Sequence, residues 1–188
     1  MTDAVAGALK ANSARALASQ VAFVVIVGGL IAVGRKYFDL HIGVPGHTGL
    51  PWIFFLVYGR GLMGRRGAAV FMGVSAAAWL ELLGAKQTLP YNLLLYVSVG
   101  SIVDFMAGAA HLRLSHPLGG LLTGATAHAG KYGFILVHAK VLALTKKFLL
   151  VGVLESFGLH LLFGALGGLV AGTILWLAIR FERGDRGP

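Results

Sequence analysis

The sequence predicts an all-α fold, a polytopic membrane protein with six transmembrane helices in which residues 1–188 form one integral membrane domain. Three observations carry this expectation. Of 188 residues, 57% are hydrophobic and only 12% are charged, about half the charged fraction of an ordinary soluble domain. The mean hydropathy is +0.80. The apolar residues are also gathered into six runs, most of them approaching the roughly 20 residues that cross a bilayer as a helix. Residues 1–13 are expected to form a cytoplasmic leader, residues 14–181 the bundle, and residues 182–188 a cytoplasmic tail.

Two further compositional facts narrow the class. Cysteine is absent, which excludes disulfides, thiolate metal sites and cysteine nucleophiles. The net charge is +9, but the basic residues sit mostly at the ends of apolar runs. Topology and anionic headgroups explain that pattern, so a lipid bilayer is the expected partner and nucleic acid is not.

The first run, residues 14–33, is long enough to span and is followed by no small-residue cleavage site, so it reads as a retained helix. Ala14, Ala18 and Ala22 recur every four residues and share one helix face. Such a smooth face admits close helix packing, either within the chain or against a partner. A long connection follows, with His41, a Pro45-Gly46 turn, His47 and Thr48. Thr48 is expected to cap the second helix, with Pro51 in its first turn. Together with Trp52 this connection reads either as a lid over an outer cavity or as an aromatic anchor with solvated histidines.

The second helix, residues 50–63, is short. The motif Gly64-Arg65-Arg66-Gly67 is a tight turn in which glycine permits unusual backbone angles. The third and fourth helices cover residues 67–83 and 91–110. The fifth covers 117–144 and the sixth 148–181, with small-residue stripes at Gly120 and Gly124 and at Gly164, Gly168 and Gly172. These stripes suit internal packing, which leaves the alanine face freer to turn outward. Placing the N-terminus inside puts Lys10, Arg15, Arg65, Arg66, Arg113, Arg180, Arg183 and Arg186 on the cytoplasmic side. Arg35, Lys36, Lys86, Lys146 and Lys147 then lie outside, so both termini are expected in the cytoplasm, in the plasma membrane. Arg60 is expected to snorkel from the inner end of the second helix.

An ionisable group in a spanning helix costs about 2.5–3.5 kcal/mol on insertion scales, so it usually faces a cavity or a polar partner. The sequence has Glu81, Asp104, His128, Lys131, His138, Lys140, Glu155 and His160 in such positions. On the fifth helix His128, Lys131 and His138 share one side. Lys131 and His138 fall in the outer half, as do Asn92 and Tyr96 on the fourth helix, Glu155 with the deeper His160 on the sixth, and Glu81 on the third. With His41, His47 and Trp52 they form the candidate ligand-binding set. The alternatives are that Lys131 and Glu155 neutralise each other, that Asp104 pairs with Arg113, and that His128 and His160 are satisfied core histidines.

Walker A, His-Glu-x-x-His and Gly-x-Ser-x-Gly motifs are missing, so neither an intrinsic ATPase nor a recognised hydrolase is expected. A metal site from His41, His47, His138 and His160 would require the fold to gather them, and none is expected. No cofactor is expected.

This pattern resembles the substrate-binding S components of energy-coupling factor (ECF) transporters. The likeness rests on the chain length with six apparent helices, on Ala14-x-x-x-Ala18 continued to Ala22, on Gly64-Arg65-Arg66-Gly67-Ala68, and on the long outer loop above polar outer half-helices. It implies a membrane subunit that captures a vitamin, cofactor precursor or similar micronutrient. It implies docking by Ala14, Ala18 and Ala22 onto a transmembrane coupling subunit joined to two cytoplasmic ATPases. The loop would be the gate, and the fourth to sixth helices would supply the pocket. The start Met-Thr-Asp departs from the Met-His start of the nickel and cobalt binders, which argues against that type of metal site. A membrane-embedded enzyme using Asp104, His128 or Glu155, and a structural membrane protein with internally paired charges, are the competing readings.

Overall fold

A computed structural model describes residues 2–37, 44–141 and 152–184, with side chains described for 13–37, 44–138 and 152–184 apart from 183. His41 lies outside the described residues, as do Lys146, Lys147 and Arg186 from the charge count, and the side chains of Lys10, Lys140 and Arg183 are not among those described. Among the described residues there are six helices: α1 (Thr2–Tyr37), α2 (Gly49–Met63), α3 (Ala68–Leu82), α4 (Leu89–Gly108), α5 (Pro117–Val141) and α6 (Val153–Gly184).

Three of these are long and apolar enough to cross a membrane: α1 from Ser13 to Tyr37, α4, and α6 from Val153 to Glu182. Helices α2 and α3 are apolar but have 15 residues each, only about 22 Å of rise. Helix α5 has the length, with 25 residues, but His128, Lys131, His138 and five glycines dilute its apolar character. Helix α1 is continuous from Thr2, and its apolar span begins at Ser13.

Helix α2 is the hub. It contacts α1, α3, α4, α5 and α6, while α1 packs on α3, α3 on α4, α4 on α5 and α5 on α6. Trp52, Ile53, Leu56 and Val57 are accordingly fully buried. Arg60 sits on this buried face of α2, which corrects the expectation for it. Arg60 does not snorkel; it is buried and its Nε donates to Asp104 Oδ1 at 2.5 Å. The second oxygen of Asp104 accepts the Val70 backbone N–H at 3.1 Å. Asp104 therefore joins α2 and α3 to α4, and its partner is Arg60 rather than Arg113.

Glycine sets how closely the helices approach. A Cβ on Gly120 or Gly124 would stand 2.2 Å from the carbonyl oxygen of Gly168 or Gly164, and one on Gly168 would stand 2.1 Å from that of Gly120. The expected stripes are thus the two sides of one seam between α5 and α6. Gly28 of α1 meets Ser75 and Gly100 of α4 meets the backbone of Ala69 in the same way. The Gly64 and Gly67 turn also behaves as expected, with left-handed φ of 65° and 80°. Thr48 does precede α2, but its side chain makes no capping bond; backbone bonds Gly49 N–H to Gly46 O and Leu50 N–H to His47 O close that turn instead.

Among the described side chains of α1, the buried ones lie in its second half. Val27, Ile31 and Ala32 are buried against the bundle, and Trp79 Nε1 donates to Val25 O at 3.0 Å. Ala14, Ala18 and Ala22 are all exposed, in company with Leu17, Val21 and Ile26.

Two outcomes follow. Asp104→Asn strands the buried Arg60 charge and should cost about 3–5 kcal/mol, whereas Arg60→Met combined with Asp104→Leu should recover most of that loss in a thermal unfolding assay in detergent. Gly168→Val drives a side chain into the backbone of α5 and should lower the melting temperature sharply. Gly158→Val, where a Cβ meets nothing within 4 Å, should leave it nearly unchanged.

Candidate functional site

The turn at residues 44–48 brings the chain into α2 directly on top of two imidazoles. Gly46 has φ +84°, and a Cβ there would lie 3.1 Å from His160 Nδ1; one on Gly49 would lie 1.9 Å from His128 Cε1. Only hydrogen at these two positions allows the turn to seat on α5 and α6. His47, half-buried, holds the turn through Nδ1 and the Val44 carbonyl at 2.5 Å.

Beneath the turn, Trp52 is fully buried and forms the centre of an aromatic and basic cluster. Its ring meets Tyr96 of α4 edge-on at 5.4 Å and His128 of α5 edge-on at 5.6 Å. Lys131 Nζ lies 5.2 Å from the Trp52 ring centroid, within the range of a cation–π contact. His160 of α6 stands 4.7 Å from His128 and 4.8 Å from Tyr132, ring to ring. The Tyr132 hydroxyl donates to Val153 O at 3.1 Å and ties α5 to the start of α6. The Arg35 guanidinium, at the end of α1, approaches the Tyr96 hydroxyl and lies within electrostatic reach of Lys131 and His128.

The hydrogen bonding in this cluster is incomplete. His128 Nδ1 meets the His160 carbonyl at 2.8 Å. A carbonyl only accepts, so Nδ1–H donates and the neutral ring presents Nε2 as an acceptor. That Nε2 is buried without a partner, and so is Trp52 Nε1. His160 Nδ1 donates to Ser156 O at 2.7 Å. Lys131 is 4% exposed, and among the described residues no carboxylate pairs with it. Buried polar groups are almost always satisfied, and each exception costs about 1–3 kcal/mol, more for a charge.

The ten expected ligand residues divide. Trp52, Tyr96, Lys131 and His160 meet in the cluster. Asn92 is buried one turn from Tyr96, but its Nδ2 donates to Gln87 O at 3.1 Å. His138 is half-buried and stands apart, edge-on to Tyr91 at 4.8 Å and stacked on Phe134 at 6.2 Å. Glu81 and Glu155 are exposed on the ends of α3 and α6, so Glu155 does not neutralise Lys131. His47 sits on the turn and His41 lies outside the described residues. Among the described residues no three His, Asp or Glu side chains converge as a metal site.

Sequence reasoning treated Arg35 as a topology marker, and it passed over Tyr132. The one usable signal for Tyr132 was its spacing of four from His128. The opportunity for Arg35 was harder to see, because an arginine closing an apolar run looks like any membrane-edge charge. No protein-family model, curated protein or solved structure matches the chain.

Because the chain has no cysteine, a single engineered thiol reports on the turn. In His47→Cys, adding Gly49→Ala should lift the turn off His128 and raise the labelling rate with a water-soluble maleimide several-fold. An unchanged rate would mean the turn does not depend on the glycine contact.

Proposed function

We propose that this chain is the substrate-capture subunit of an ATP-driven importer of the energy-coupling factor type, a six-span bundle in the plasma membrane with both termini in the cytoplasm. The observation that carries the reading is the Trp52–His128–Lys131 cluster, a buried polar centre with unused bonding capacity beneath a glycine-seated turn. Residues that serve only the fold are normally satisfied by the fold, as Arg60 and Asp104 are. A centre left unsatisfied is suited to a small molecule.

Two further features support the subunit role. The alanine face and its flanking Leu17 and Val21 stand exposed at the opposite end of α1 from the cluster, which suits docking of a separate transmembrane partner. The sequence carries no nucleotide-binding motif, so the two ATPases of such an importer would be separate chains. In the six-span arrangement α5 turns its basic groups into the bundle, and the short α2 buries the face that carries Trp52 and Arg60. The turn at 44–48 would act as the gate, and the substrate would be a vitamin, cofactor precursor or similar micronutrient.

The structural reading, in which every intramembrane charge is paired internally, fits Arg60 with Asp104 but gives no account of Lys131. The enzyme reading is weakened because Asp104 is engaged with Arg60 and Val70, away from His128, and Glu155 is exposed.

The test separates capture from docking. Replacing Ala14, Ala18 and Ala22 with Trp should abolish ATP-dependent uptake in cells while small-molecule binding by the purified chain stays unchanged. Uptake with normal kinetics in the triple variant would sink the docking role.

A further inference from the structure

We infer that the buried cluster takes a small organic anion that also carries a hydrogen-bond donor, with Lys131 and Trp52 Nε1–H receiving the anionic group and His128 Nε2 accepting from the N–H or O–H. The inference deepens the capture reading by naming the chemistry of its ligand.

Lys131 is buried beside Arg35, His128 and His160, and every one of these neighbours is basic. The carboxylates among the described residues are engaged or elsewhere: Asp104 with Arg60, and Glu81, Glu155 and Glu182 exposed. A buried ammonium without a counter-charge costs several kcal/mol, and an incoming anion supplies what is missing. The Lys131 and Arg35 charges repel a metal cation, although two imidazoles 4.7 Å apart would otherwise suit one.

Hydrogen bonding refines the class. Trp52 Nε1 can only donate, so it complements an oxyanion. His128 Nε2 is committed the other way, because Nδ1–H is already spent on the His160 carbonyl. An anion alone leaves that acceptor empty, whereas an anion bearing a hydroxyl, amide or amine N–H fills it. The surrounding faces of Trp52, Tyr96 and Tyr132 are aromatic, which suits a flat, unsaturated body. Access requires the turn at 44–48 to lift, since Gly46 and Gly49 rest on the two imidazoles.

The experiment uses the purified full chain in lipid nanodiscs and four probes of one size: 4-hydroxybenzoate, benzoate, methyl 4-hydroxybenzoate and benzylammonium. Binding is measured by isothermal titration and by change in tryptophan emission. Charge-assisted hydrogen bonds contribute about 1.5–3 kcal/mol, so 4-hydroxybenzoate should bind at least about tenfold more tightly than its neutral methyl ester. It should bind several-fold more tightly than benzoate, and benzylammonium should not bind. Lys131→Met removes a buried charge without a large change in volume, and should abolish the preference for the anion. Lys131→Arg should retain part of it, and His128→Phe should erase the advantage of 4-hydroxybenzoate over benzoate.

Equal binding of ester and anion, preferential binding of benzylammonium or of nickel, zinc or cobalt ions, an anion preference that survives Lys131→Met, or no binding of any probe would each overturn the inference. Asp39 lies outside the described residues, and it is tested by Asp39→Asn. Anion affinity that is unchanged there supports an external counter-ion, while affinity that rises strongly would show that the chain supplies its own and would overturn the proposal. None of these readouts involves uptake, so an importer that captures a neutral ligand and an anion-binding protein that is no importer give different results.

Discussion

The ion pair between Arg60 and Asp104 sets the register on which the rest of the structure depends. The face of α2 that carries Arg60 is buried against neighbouring helices, so its arginine has neither water nor headgroups to reach and must meet its counter-charge inside. Eight residues before Arg60 on α2 stands Trp52, and eight residues before Asp104 on α4 stands Tyr96. The two helices run side by side in the same direction, so the contact that joins Arg60 to Asp104 also brings Trp52 onto Tyr96 two turns away. A slip of one turn would separate both pairs. The Val70 N–H held by Asp104 extends the constraint to α3.

The second constraint is the glycine seam. Gly164 touches Gly124 and also leaves room for His128 Cβ, where a side chain at 164 would come within 2.5 Å. The seam therefore does two things with one set of residues. It lets α5 and α6 approach at backbone distance, which is a main source of attraction between helices in lipid, and it presses His128 against α6 so that its Nδ1–H finds the His160 carbonyl. Packing thus fixes the orientation of the ring, and the orientation leaves Nε2 as the free acceptor. Structural satisfaction in one half of the imidazole creates the chemical opportunity in the other.

Much of this was legible in the sequence, and the limits have a physical cause. The apolar runs predicted α2 and α3 to within a residue or so at each end, because a turn of glycines and a proline leave helix little freedom to begin or stop elsewhere. The small-residue stripes announced the seam, since spacing of four is a local property of one helix. What local spacing cannot reveal is which faces oppose one another. Arg60 and Asp104 are 44 residues apart, and either alone resembles a membrane-edge charge. Trp52 likewise resembles an interface anchor until the buried face of α2 is known. His138 shares a helix side with Lys131, yet it lies about two turns farther along α5 and meets Tyr91 instead of the cluster.

The charges that serve the fold are paired by the fold, and the basic cluster under the 44–48 turn is, on the capture reading proposed above, the place for a ligand. The most direct measurement is the mass spectrum of small molecules released on denaturing the full chain purified gently from its own cells. The account predicts one low-mass organic anion, present in near-stoichiometric amount and missing from the Lys131→Met protein. A wild-type protein that releases no such species, yet gains stability when Lys131 becomes Met to the same extent as any relieved buried charge, would contradict it.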